Sequence, residues 1–443
     1  MLTSLMLSLS ALMPAPQDPV GPPAAAEGVA GPLDFIAVEG GGRYRVDAVD
    51  AAGRTAIWLC VLAGSDHDPS DASGMARVFG ELLRPGTPTP TRSLPSEIVV
   101  TDRAIFVGVV VDSPDARSSA VERCAAWLRG ELALTDDEIL AARGRALLRA
   151  DDEAAVLPGP MLRERAERLL FPGTPTARLS GGEPEEIRAL GPEEIRAAFA
   201  RAFHPGRAML VGMGSVDGLG AEFDTALRAA RAPAAWPAVA PTAEDAADVL
   251  RITPTSRVAA PFVCRGFVAP RWGEAGYLPF LIAMEVARSR AAGTFRTLRG
   301  GEVEAEFPPL AYDFLRAPRA AFVGRRGRDG DGLDAVRAEL DSLAAGLRDG
   351  GATGPEIQGA LSVLMTTLDV PPFRADMETA LQRFPGLVLQ RGYVVACYGV
   401  HGWPGDLPES VGRVPLGHVD RSLARLFAKD GSGRCEVALE PDA

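Results

Sequence analysis

The sequence predicts an α+β fold made of two duplicated halves, each a largely antiparallel sheet packed with helices. Three observations predict it. Strand-like and helix-like runs alternate irregularly, with helices in succession between strands, which suits helices layered on a sheet. The stretch 231–247, opening Arg231-Ala-Pro-Ala-Ala-Trp236, is rich in Ala and Pro and has linker composition. Landmarks also recur on either side of it in the same order. Thr135-Asp136-Asp137-Glu138-Ile139 and Thr353-Gly354-Pro355-Glu356-Ile357 are both T-x-x-E capping boxes, in which Thr and Glu satisfy the free N–H groups at a helix start. Ala200-Arg201-Ala202-Phe203, then Gly206-Arg207, matches Ala424-Arg425-Leu426-Phe427, then Gly433-Arg434. The offsets are 218 residues (356 minus 138) and 224 (424 minus 200), so order and spacing agree. A chain of 443 residues then divides into a first half at 34–230, the linker at 231–247 and a second half at 248–443, each half of ordinary domain size.

In the first half, strand patterns run over Arg43–Val46, Thr55–Ala63, Ala104–Asp112 and Ala208–Met213. Each is rich in β-branched or other apolar residues. Helical periodicity runs over Ser73–Leu83, Ser118–Glu131, Asp136–Ala150, Leu162–Leu170 and Glu193–Phe203. Pro192, just after Gly191, suits a first helical position. In the second half, Cys435–Leu439 reads as the closing strand.

Composition excludes several functions. Hydrophobic residues make up 47% of the chain, enough for real cores. The formal net charge is −12, which disfavours nucleic acid or an anionic membrane as partner. Of 46 basic residues only Lys429 is lysine, which reads as codon bias, not as a functional arginine patch. The apolar, uncharged run Met1–Met13 is closed by Pro14, Ala15 and Pro16, and Ala24–Ala26 follow. It resembles a secretory signal peptide at 1–26, lacking Lys or Arg near its start. The expected location is therefore periplasmic or secreted. No later run reaches about 18 uninterrupted apolar residues, so no transmembrane span is expected. Cys60, Cys124, Cys264, Cys397 and Cys435 are scattered without a C-x-x-C pair. Thiolate zinc sites are unsupported, and burial as small apolar residues is expected.

One segment carries chemistry by what it lacks. Gly74-Met75-Ala76-Arg77-Val78-Phe79-Gly80-Glu81-Leu82-Leu83-Arg84-Pro85-Gly86-Thr87 has the frame of an inverted zinc helix, H-x-x-E-H, with every chemical residue replaced. Its surroundings fit the frame: a strand from Trp58 to Ala63, Gly64-Ser65, the acidic loop Asp66-His67-Asp68-Pro69, then Gly74-Met75-Ala76. Further blocks follow at Leu170-Phe171-Pro172-Gly173-Thr174-Pro175, Gly181-Gly182-Glu183-Pro184-Glu185-Glu186-Ile187, Leu190–Ile195 and Phe203-His204-Pro205-Gly206-Arg207. Together these resemble the pitrilysin, insulinase and mitochondrial processing peptidase superfamily over about residues 55–217.

The resemblance implies a metallopeptidase-like fold whose zinc site is degenerate. Such a peptidase needs two neutral imidazoles one helical turn apart and a carboxylate between them as general base. The imidazole positions are Arg77 and Glu81, and the base position is Gly80. Arg77 is permanently cationic and cannot ligate zinc. The third ligand of the family, a Glu on a later helix, falls at Arg149, with Asp151, Asp152 and Glu153 beyond it as a solvated helix end. Active members also carry an Arg followed seven residues later by a Tyr, both contacting substrate. Arg299 matches the Arg, Glu306 stands at the Tyr position, and Tyr312 is too far along. No metal or other cofactor is expected. At i and i+4, Arg77 and Glu81 can pair across one turn, placing a guanidinium in the emptied metal pocket.

Other signals are thin. His67 lies between two aspartates in what reads as a turn beside Pro69. Gly40-Gly41-Gly42 is followed by Arg43-Tyr44, not by the Lys-Ser/Thr of a phosphate loop. Gly324–Gly332 reads as a polar hairpin tip or loop. The resulting reading is an inactive homologue, a pseudoenzyme, that binds a peptide between its halves or forms a heterodimer with an active zinc-bearing homologue. Two alternatives stand beside it: a peptidase or other hydrolase with a relocated site, and a purely structural assembly protein.

Overall fold

The computed structural model describes residues 35–69, 72–84, 97–101, 104–156, 165–172, 182–228, 250–252, 255–256, 261–270, 276–299, 303–306, 319–327, 330–368, 411–428 and 434–441. The expected signal peptide, the 231–247 linker, Cys397 and Tyr312 lie outside the described residues. Pro32–Ala443 form one compact unit.

The first sheet holds β1 (Ile36–Ala37), β2 (Arg43–Ala48), β3 (Thr55–Val61), β4 (Glu97–Val100), β5 (Ile105–Val111) and β6 (Ala208–Gly214), in the order β1-β2-β6-β3-β5-β4. The second holds β7 (Leu250–Ile252), β9 (Phe262–Ala269), β10 (Val303–Glu306), β11 (Arg319–Arg326) and β12 (Arg434–Pro441), in the order β10-β11-β9-β12-β7; a short β8 (Thr255–Ser256) pairs with the end of β12. Read from the other edge, the second order is β7-β12-β9-β11-β10, which superposes on β2-β6-β3-β5-β4. The pairings agree as well. The β2–β6 and β7–β12 pairs are parallel, and the other pairs on this shared path are antiparallel. Even single residues correspond: Trp58 faces Gly108 across β3–β5, and Cys264 faces Gly324 across β9–β11. Gly108 is fixed by its partner, because a Cβ there would lie 2.4 Å from the Trp58 ring. Gly324 to Arg326 thus belong to β11 and are no hairpin tip.

The helices of the first half are α1 (Met75–Leu83), α2 (Pro114–Leu128), α3 (Asp136–Val156), α4 (Pro184–Ala189), α5 (Pro192–Ala202) and α6 (Leu219–Leu227). Those of the second are α7 (Tyr277–Arg299), α8 (Leu333–Gly350), α9 (Gly354–Leu368) and α10 (Leu416–Leu426). Both capping boxes form. Thr135 N–H donates to Glu138 at 2.8 Å, and Thr353 N–H donates to Glu356 at 2.8 Å. Each box opens the second helix after the equivalent strand, α3 after β5 and α9 after β11. Several helix bounds differ from the sequence reading, and two of the differences bear on the argument. α2 begins at Pro114, not Ser118, because Ser113 caps it by accepting from Ala116 N–H, with Pro at the first position. α3 continues to Val156, so the backbone of Asp151–Glu153 is helix interior, not a helix end.

All seven residues of β3 are buried, which explains its unbroken apolar run: the strand is covered on both faces. Ile57, Leu59 and Val61 pack with α1, α2, α3 and α5 in one core. Trp58, Cys60 and Leu62 belong to a second core shared with Tyr277, Phe280 and Leu281 of α7. Helical residues 165–170 of the first half reach the second sheet, where Ala166 and Leu170 pack with Cys264, Val437 and Leu439. Among the described residues, no helix is long and apolar enough to cross a membrane. Cys60, Cys124, Cys264 and Cys435 are buried, and no disulfide joins any two of them.

Candidate functional site

The degenerate zinc frame is a real helix, and its start is built with care. Gly74 takes a left-handed backbone (φ 85°) ahead of Met75. The Asp68 carboxylate accepts from Gly74 N–H and Ala76 N–H, both at 2.8 Å, so the loop acid serves as the helix cap. Asp68 is therefore a capping group, which accounts for an acidic loop without invoking a bound cation. Ser73 ties this start to the later block. Its hydroxyl accepts from Glu183 N–H at 2.9 Å, and its own N–H donates to Glu186 at 2.8 Å. Gly182 packs so closely that a Cβ would lie 2.4 Å from Gly74 Cα. Phe79 holds α1 down on the opposite side, edge-on to Phe199 at 5.5 Å and Phe203 at 5.8 Å.

At the position that the family resemblance assigns to the general base, space is closed. A Cβ on Gly80 would lie 2.5 Å from Val100 Cγ2 at the end of β4. The side chain that a base requires has no room to leave the helix.

One turn of chemistry remains at Glu81. It is 3% exposed, and three guanidinium groups converge on it. Arg149 Nε lies 2.9 Å from Oε1, Arg145 Nε 3.4 Å from Oε2, and Arg84 Nε 3.3 Å from Oε1. The Arg84 contact is an ion pair without hydrogen-bond alignment. Arg145 also donates through Nη2 to the Glu81 carbonyl oxygen at 3.0 Å, and Arg84 reaches the Ile98 carbonyl at 3.5 Å. The cluster thus joins α1, α3 and β4. Burial, together with the nearby charges of Arg149 and Arg145, holds the Arg84 pKa below its ordinary value against the pull of Glu81.

The sequence expectation of an Arg77–Glu81 pair is corrected here: Glu81 takes its cations from Arg84 on the following turn and from α3. Arg77 itself is half-buried on α1. Arg149, which the resemblance put at the third-ligand position, lies beside Glu81. Arg84, Arg145, Val100 and Asp68 were not singled out. A spacing signal existed for two of them, since Arg145 and Arg149 repeat at i, i+4 and Arg84 follows Glu81 at i+3. Nothing in the sequence pointed to Val100. Of the second-half pair, Arg299 is the last residue of α7 and Glu306 the last of β10, where it pairs with Phe322.

These residues do not fit zinc. A guanidinium cannot ligate, the base position is filled by Val100, and both Glu81 oxygens are already held by arginines. The arrangement is a carboxylate at the hub with cations around it.

No family sequence model matches the chain, and no curated protein matches it by sequence. Solved structures do. The chain is similar to a protease from Helicobacter pylori (TM-score 0.70, 13% identity, 92% of this chain and 99% of that one). It is equally similar to a peptidase M16 inactive domain from Pseudomonas fluorescens (TM-score 0.70, 14% identity, 93% and 98%). It also matches the periplasmic protease PqqL from Escherichia coli (TM-score 0.67, 14% identity), covering 94% of this chain but 48% of that one. The fold is therefore that of M16-type peptidases.

Proposed function

We propose that this chain, on an M16-type fold, is a non-peptidase homologue that works by binding, either a peptide or a zinc-bearing relative. The observation that carries the reading is the replacement of working parts by packing. Val100 occupies the space of the general base, and three arginines occupy the oxygens of the one remaining candidate ligand. A fold can outlive its chemistry, and here the vacated positions have acquired interactions of their own. Arg77, Gly80, Glu81 and Arg149 are then the former zinc positions, and Arg299 and Glu306 the former substrate-contact pair.

The repeated strand order, the paired glycines Gly108 and Gly324 and the two capping boxes support an origin by duplication, with halves near 34–230 and 248–443. An extracytoplasmic setting rests on the apolar start of the chain and on the periplasmic neighbour.

The test pairs metal analysis of the purified full chain with proteolysis of a peptide library, run with and without a chelator. The expected result is no stoichiometric zinc and no chelator-sensitive cleavage. Either of those appearing overturns the non-peptidase reading. Pull-down from the native host then decides between partners: recovery of an intact H-x-x-E-H relative supports the heterodimer, and recovery of peptides alone supports the peptide binder.

A further inference from the structure

Among the described residues, the charges of the hub do not cancel. Arg84, Arg145 and Arg149 carry three positive charges against one on Glu81, in a chain whose net charge is −12. Only one face of each guanidinium is used. Arg149 comes closest to Glu81 through Nε, as an ion pair without a hydrogen bond, and Arg145 gives Nε and Nη2 to the residue. Among the described residues, both Nη groups of Arg149 and the Nη1 of Arg145 have no protein acceptor. A guanidinium presents five donors in a flat fork that matches an oxyanion, so two or three such edges side by side form a ready acceptor of carboxylate or phosphate.

The placement suits a ligand. Arg145 and Arg149 lie at i and i+4 on one face of α3, and their side chains are 38% and 48% exposed, so their outer edges can be reached. A cavity of about 160 Å³ opens between α1 and α3, lined by Arg84, Arg145, Leu82, Leu134, Ala142 and Glu138 among others. Glu138 is the one carboxylate in that lining, and it is committed to the N–H and hydroxyl of Thr135.

We infer that the Glu81–Arg84–Arg145–Arg149 hub is an oxyanion-binding site, and that its ligand is a peptide carboxylate. The charge preference is the reverse of a metal site's: an anion is held by cations that Glu81 keeps in place. Glu81 is in this sense a positioning residue that also weakens the site, since its own charge opposes the ligand. This inference rests on the peptide-binding reading above and names the chemical group that such a peptide would present.

The experiment is calorimetric titration of the full-length chain at low and at 0.15 M salt. The probes are inorganic phosphate, a tetra-alanine peptide with a free C-terminus, and the same peptide amidated. Wild-type protein is expected to bind the free-acid peptide about tenfold more tightly than the amide, and more weakly as salt rises. Arg149→Gln changes a half-exposed side chain and leaves Arg84 and Arg145 on Glu81. It should weaken the free acid by about tenfold and leave the amide unchanged. Glu81→Gln, where it folds, should tighten oxyanion binding, a sign that a merely structural role for the cluster would not give. Equal binding of acid and amide, or binding indifferent to Arg149→Gln, overturns the oxyanion site while leaving peptide binding standing. Saturable binding of phosphate without the peptide keeps the oxyanion chemistry and overturns the peptide source. No binding of any probe overturns both.

Discussion

Gly80→Ala sets two well-understood effects against each other. In a helix interior, Ala is favoured over Gly by about 1 kcal/mol, so propensity alone makes the change stabilising. Here the added methyl would lie 2.5 Å from Val100 Cγ2, with the Val100 Cβ 3.9 Å away. To reach ordinary contact the valine methyl must retreat by about 1 Å. Valine is stiff at χ1, and Val100 is held in β4 by its pairing with Ile105, so it yields poorly. Overpacking of this kind costs about 1–3 kcal/mol, and stiffness places it in the upper part of that range. The net expectation is destabilisation by about 1–2 kcal/mol. In a Val100→Ala background the obstruction is gone, and the same Gly80→Ala change should stabilise by about 1 kcal/mol. The coupling between the two sites is then about 2–3 kcal/mol, well above the scatter of additivity. Urea unfolding of the four proteins of the cycle, followed by circular dichroism, measures it as a shift of midpoint at constant slope. A higher midpoint for Gly80→Ala in the otherwise unchanged chain would show that Val100 does not fill the space, and would refute the closure on which the non-peptidase reading rests.

Three further outcomes follow from the same structure. Glu81→Gln leaves three guanidinium groups facing one another and should destabilise by about 2–3 kcal/mol, less than a fully buried pair because the arginine tips reach water; adding Arg149→Gln should restore part of the loss, and additive effects would count against the hub. The Glu356 carboxyl is held down at about 2 by the Arg290 guanidinium, helped by Thr353 and opposed by burial, so its contribution is complete above the ordinary carboxylate pKa and is lost as pH falls from about 4.5 towards 2. Discounted for solvent screening this is about 1 kcal/mol, and Arg290→Gln should flatten the stability curve across that acid window by lowering its neutral arm while leaving the most acid arm unchanged. Burial pushes the Cys124 and Cys435 thiols up to about 12, so neither should react with a disulfide reagent in the native protein at pH 8; modification of either before unfolding would contradict their burial.

How far the sequence could be read depended on the range of the interactions concerned. Strand β3 and helix α5 were legible because their apolar runs and the Gly191-Pro192 start act within a few residues. The capping boxes were legible for the same reason, and they drew attention to the repeat. The start of α2 was misplaced because Ser113 and Pro114 were not read as a cap and first position, although the signal is local. The site divides in the same way. The loss of His and Glu from the zinc frame is visible as letters. Arg149 was found through alignment to a family pattern, not through any local rule. The Glu81 hub was paired with Arg77 at i−4 when the Arg84 signal at i+3 was equally local. Its actual partners come from α3, 64 and 68 residues along the chain (145 minus 81, 149 minus 81), and from a side chain beyond the frame. Val100 reaches Gly80 across a strand-to-helix contact that no periodicity encodes. Asp68 was read as part of a turn, and its role as a cap six residues ahead of Gly74 needed the loop geometry.

The four-residue hub also acts as a ratchet on the history of the chain. A path back to a metal-binding helix would need histidine at 77 and 81, a carboxylate at 80 and another at 149. Replacing Glu81 first strands three arginines. Replacing Gly80 first drives a side chain into Val100. Replacing Arg149 first removes a counter-charge from a buried carboxylate. Each single step costs stability before any chemistry is regained, and marginal stability makes such steps hard to keep. On the non-peptidase reading proposed above, once cations had closed around Glu81, selection for folding alone is enough to preserve the loss.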